Sequence, residues 1–83
     1  MKLNKTFGNN VKYFRYQKKY TQEKVAELTN SSVTYISQLE LGHHTPSFDK
    51  LELLAKTLGV KPYELFMEKD FKKLPPRVDM ANN

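Results

Sequence analysis

The chain contains no cysteine, so neither a disulfide scaffold nor a thiolate metal site is open to it. That suits a reducing compartment, and a cytoplasmic location is expected. No apolar run approaches the roughly 18 residues that a membrane span requires, and Met1-Lys2-Leu3-Asn4 leads into no signal-peptide core. A soluble protein without membrane contact is therefore expected. Also missing are a Gly-rich phosphate loop, a His-Glu metal spacing, and Ser, His and Asp at any triad spacing. Enzyme chemistry has little support on these grounds, and no metal or cofactor is assigned. Strand-like alternation, internal repeats and low-complexity segments are absent as well, which leaves an all-α fold.

What is present is modest in size and basic. With 83 residues there is room for one domain, burying roughly 60 to 65% of its unfolded surface. A second, ligand-sensing domain does not fit, and no small-molecule ligand is predicted. The formal charge is +5, from 14 Lys and Arg against 9 Asp and Glu. Its distribution is uneven: residues 1–24 hold Lys2, Lys5, Lys12, Arg15, Lys18, Lys19 and Lys24 against Glu23 alone. A polyanionic partner fits that asymmetry, and a solvated basic face is the alternative.

Helices follow from spacing and caps. Phe7, Val11 and Phe14 stand at i, i+4 and i+7, which predicts an amphipathic helix from Asn4 to about Lys18. Thr21 is an N-cap candidate for a short second helix ending near Leu28, and Asn30 can build a tight turn because Asn tolerates left-handed geometry. Ser32 caps a third helix with Ile36 and Leu39 inward, running to Leu41 and stopped by Gly42. After the loop His43-His44-Thr45-Pro46, Ser47 caps a fourth helix whose Leu51, Leu54, Ala55 and Leu58 form one apolar face, and Gly59 ends it. Pro62 opens a fifth through Tyr63, Leu65 and Phe66. The expected organisation is one domain over residues 1–74, including a C-terminal helical extension, then a flexible tail over 75–83 that begins at Pro75-Pro76.

Taken in order, Gln22-Glu23-Lys24-Val25-Ala26, the turn at Asn30, Tyr35-Ile36-Ser37-Gln38-Leu39-Glu40, Gly42, Pro46-Ser47 and Leu54-Ala55-Lys56-Thr57-Leu58-Gly59-Val60 resemble the XRE or Cro-type helix-turn-helix family of phage and bacterial repressors. The resemblance spans about Phe7 to Phe66. It implies a compact, lambda-repressor-like bundle of about five helices and a sequence-specific double-stranded DNA-binding regulator of the repressing kind, with no enzymatic role. Four positions depart from the family pattern. Lys19 and Asn30 stand where Gly is usual, and Thr29 and Ser31 where an aliphatic residue is usual, so weaker packing around the turn is expected. The third helix also carries no Lys or Arg, and phosphate contacts must come from elsewhere.

The chemistry of reading DNA can be placed on named residues. A major groove about 12 Å wide admits one helix, and short side chains near its N-terminus can reach base edges. With Ile36 and Leu39 inward, Val33, Thr34, Ser37 and Gln38 fall on the outward arc. Gln38 can pair with adenine N6 and N7, and the methyls of Val33 and Thr34 can meet thymine methyls; a plain polar helix surface is the bland alternative. Phosphate candidates are Gln22 and Ser32 at helix starts, Tyr35 through its hydroxyl, and His43 and His44 after the third helix. Tyr35 can equally pack its ring over the second helix, and loop histidines are commonly just solvated. Arg15 and Glu40 are set apart, because the resemblance implies that they pair structurally.

Dimerisation is expected, since one helix reads few base pairs and two half-sites of a palindromic operator lie about 34 Å apart. Tyr63, Met67, Phe71 and Leu74 form a helical stripe that is the candidate homodimer contact, or else folds back on the first helix. A rival reading keeps the fold but makes it a protein-binding adaptor, such as an antitoxin or a coactivator bridge. The uncharged third helix is compatible with that.

Overall fold

The computed structural model describes residues 2–68 and is helical throughout its regular elements. α1 spans Lys2–Lys18, α2 Gln22–Leu28, α3 Val33–Glu40 and α4 Phe48–Leu58, and a short 3-10 helix covers Pro62–Phe66. The three predicted caps are all in use. Thr21, Ser32 and Ser47 lie in extended backbone, and each hydroxyl accepts from the amide three residues on, at 2.9, 3.0 and 3.1 Å. Each satisfies an amide with no intrahelical partner, worth about 1 kcal/mol.

The ends of the helices are set by residues that enter left-handed geometry. Gly59 does so at φ 73°, Gly42 at 82°, Asn30 at 53° and Lys19 at 60°. Lys19 and Asn30 are the two positions where glycine was the expected residue, and the backbone shows why. The weaker packing expected around the α2–α3 turn is answered by a polar cluster. Lys50 reaches over from α4 and donates to the Thr29 carbonyl and the Ser31 hydroxyl, both at 2.8 Å. The Thr29 hydroxyl donates to the Val25 carbonyl at 2.7 Å, so the fully buried Thr29 leaves no polar group stranded. An ammonium at the carboxyl end of α2 also complements the helix dipole.

The core joins every element: Phe7 and Val11 from α1, Val25 and Ala26 from α2, Ile36 and Leu39 from α3, Leu54, Ala55 and Leu58 from α4, and Leu65 from the 3-10 helix. Fully burying side chains of the Val, Leu, Ile and Phe class contributes roughly 1.5 to 3 kcal/mol each. α1 and α3 meet closely at Gly8. A Cβ there would stand 2.2 Å from the Leu39 carbonyl oxygen and 2.7 Å from that of Glu40, so only glycine permits this backbone approach.

The expected fifth helix is shorter and tighter than its spacing suggests. Met67 turns to extended geometry at φ −81° and ψ 134°, so Tyr63 and Met67 do not share a continuing helical stripe. The physical reason is Asn10, buried in α1, whose amide donates to the carbonyls of Leu65 at 2.9 Å and Met67 at 2.7 Å. A helix running on would keep those carbonyls for its own ladder. Phe71 and Leu74, the Pro75-Pro76 break and the tail over 75–83 lie outside the described residues.

Candidate nucleic-acid interface

α3 has two unlike sides. Ile36 and Leu39 are 0% exposed, and Glu40 is buried beside them. On the other side Val33 is 40% exposed, Thr34 is exposed, and Ser37 and Gln38 are half-buried at the margins of the arc. The four predicted base-reading residues therefore share one open surface, formed because an eight-residue helix is anchored by only one face.

The position of that surface is fixed by a buried clamp. Arg15 from α1 meets Glu40 in a two-pronged pair, Nε to Oε2 at 2.6 Å and Nη2 to Oε1 at 3.0 Å, while Nη1 donates to the Tyr20 carbonyl at 3.0 Å. Both side chains are buried, so the geometry ties α1, the α1–α2 turn and α3 together with few degrees of freedom left. Gln22 adds a third arm, donating through Nε2 to Glu40 Oε1 at 3.0 Å. Sequence reasoning placed Gln22 on phosphate alone and missed this bond. One amide hydrogen is held by Glu40, and the other, with the carbonyl, remains for an outside partner.

Around the α3 rim the remaining candidates separate. Ser32 is exposed and its oxygen caps the Tyr35 amide, while its O–H is still able to donate. Tyr35 packs its ring against the edge of the core and onto His44, with ring centroids 5.9 Å apart, and Lys50 Nζ sits 5.7 Å from its ring centroid. Burial raises the Tyr35 hydroxyl's pKa above its ordinary 10.0, so it stays protonated as a donor at neutral pH. The ring thus packs against the core edge and His44, and the hydroxyl keeps its hydrogen. His44 is exposed and stacked; His43 is exposed, and its Nδ1 lies 2.8 Å from Gln38 Oε1. Because that oxygen can only accept, Nδ1 carries the proton. The contact was not foreseen, although its signal was available: a donor five residues beyond Gln38, just after the Gly42 turn.

The comparisons with known proteins agree with this geometry. Residues 11–65 match the Helix-turn-helix family, and the chain belongs to it. It is accordingly a DNA-binding transcriptional regulator of the XRE type. It is 40% identical over 60 residues to the control protein C.BamHI of Bacillus amyloliquefaciens, which covers 71% of this chain and 74% of that one. It is 36% identical over 56 residues to the immunity repressor protein of Bacillus phage phi105, covering 68% of this chain but only 39% of the repressor. In structure it resembles the restriction-modification controller protein C.AhdI from Aeromonas hydrophila, with a TM-score of 0.75 and 29% identity over 80% of this chain and all of that one. Among the described residues no helix is long and apolar enough to cross a membrane.

Proposed function

We propose that the chain represses transcription by reading a palindromic operator as a homodimer, each copy inserting the N-terminal part of α3 into the major groove. One observation carries the reading: Val33, Thr34, Ser37 and Gln38 form an open, uncharged, slender arc on a helix whose other side is locked into the core. Their side chains suit base edges, with Gln38 supplying hydrogen bonds and Val33 and Thr34 supplying methyl contacts to thymine. Gln22, Ser32, Tyr35 and His44 surround the arc and provide donors for phosphate oxygens, while the Nδ1 hydrogen of His43 is directed at Gln38. The name of one relative, an immunity repressor, supports repression, and the two controller proteins support regulation in general. Tyr63 and Met67 are 62% and 48% exposed, which leaves both open to a second copy.

The test is selection from a randomised duplex pool, followed by titration of the selected and a scrambled duplex across a salt series. A symmetric site with half-sites about one helical turn apart, and preference on the order of a thousandfold over the scrambled duplex, is expected. Equal, weak binding to both would sink the reading and point to the adaptor role instead.

A further inference from the structure

α3 has no cation anywhere between Val33 and Glu40, yet a helix held in the major groove needs positive charge close by to fix it on the backbone. α1 supplies a candidate. Lys5, Asn9, Lys12 and Tyr16 stand at i, i+4, i+7 and i+11, so they share one stripe of the helix. Those four residues line a groove of about 620 Å³ together with Val33 and Ser37 of α3 and Gln22 at the start of α2. The Arg15–Glu40 pair also lines the groove and is charge-neutral, so its positive charge comes from the two lysines. Glu23, on the first turn of α2, is the exposed acid in the lining.

Lys5 and Lys12 are available for an external anion. Among the described residues neither takes part in an ion pair, whereas Lys2 is paired with Glu68 and Lys24 with Glu27. Lys12 Nζ lies 5.8 Å from the Tyr16 ring centroid, a contact that involves no oxygen acceptor. Two turns separate the lysines, about 10.5 Å along the axis, with the Asn9 amide between them. The stripe is therefore a row of donors running beside the base-reading arc and facing the same open groove.

We infer that the Lys5–Asn9–Lys12 stripe of α1 is a second DNA-contact surface, holding phosphates of the strand that passes along the α1 side of α3. The inference rests on the proposed insertion of α3 into duplex DNA. Its contribution is affinity without base preference, because ammonium groups on phosphate carry no sequence information.

The experiment uses the full chain and the selected duplex, with log affinity measured against log salt. The Lys5→Ala/Lys12→Ala double variant should flatten the slope by about two units, since each phosphate contact contributes about 0.9. Between 50 and 200 mM salt it should then lose roughly tenfold less affinity than the parent, while its ranking of base substitutions stays the same. Lys12→Arg should keep the parent slope, and Lys56→Ala, exposed on α4 outside the groove, should keep it too. Glu23→Gln should tighten binding at low salt by removing the opposing charge. An unchanged slope in a double variant with an unchanged melting curve would overturn the inference and leave the DNA reading intact. An equal drop for Lys56→Ala would overturn it as well, by showing a net-charge effect. A parent chain that shows no sequence preference in the same titration removes the reading beneath it. If the double variant folds poorly, the single Lys→Gln variants should each lower the slope by about one unit, and slopes equal to the parent's would refute the assignment.

Discussion

The two sides of α3 carry comparable polar chemistry under opposite constraints. On the inner side Glu40 is buried and held by three donors from two other elements; on the outer side Gln38 has one described partner, the exposed His43. The inner polar group fixes where the helix sits, and the outer one is left to meet whatever enters. A regulator benefits from this division, since a reading surface must be placed rigidly by a scaffold that does not itself depend on what is read.

The sharpest way to break the comparison is to remove the inner group. Glu40→Ala leaves the Arg15 guanidinium buried without its counter-charge, which should cost about 3 to 5 kcal/mol. In a domain of this size each kcal/mol moves the melting temperature by about 4 to 8 °C, so a fall of more than ten degrees is expected in a thermal melt. DNA binding by the fraction still folded should keep its base ranking. An unchanged melting curve accompanied by lost DNA binding would show that Glu40 belongs to the reading surface after all.

Much of this scaffold was legible in the residues. Thr21, Ser32 and Ser47 announce helix starts through their hydroxyls, Gly42 and Gly59 announce stops, and the i, i+3, i+4, i+7 spacing of Leu51, Leu54, Ala55 and Leu58 announces a buried face. Such features are local, and local chemistry can be read along the chain. The outward arc was legible for the same reason, because placing Ile36 and Leu39 inward determines what faces out. Less visible were effects that depend on distant partners. Asn10 ends the 3-10 helix from 55 residues away through the Leu65 carbonyl, and a periodic stripe through Tyr63 and Met67 gives no warning of it. Lys50 likewise rescues the Thr29–Ser31 turn from 21 residues away, so substitutions that look damaging in sequence are accommodated in space.

The outer side should respond in the opposite manner to the inner. Gln38→Ala removes a half-buried surface amide that supports no core contact, so the melting temperature should hold within the equivalent of about 0.5 kcal/mol. Discrimination at one base pair should instead fall by about 1 to 3 kcal/mol, measured by competition among four duplexes that differ only there. The salt slope should stay where it was, and a slope lowered by about one unit would place Gln38 on phosphate.

His43 provides the finest distinction, because it acts on what Gln38 presents. A paired grip on adenine needs Gln38 Oε1 to accept from N6 while Nε2 donates to N7. With the His43 Nδ1 hydrogen already directed at Oε1, one lone pair is occupied and the two Nε2 hydrogens are the freer groups. The parent should therefore favour a base whose major-groove edge accepts, guanine through O6 and N7 or thymine through O4, at the position Gln38 reads. His43→Ala releases Oε1 and should move the preference toward adenine by about two- to tenfold, the worth of roughly 0.5 to 1.5 kcal/mol for one hydrogen bond. The same four-duplex competition measures it. Identical base profiles for parent and variant would mean that His43 leaves no imprint on reading, and that the outer side of α3 has no built-in orientation at all.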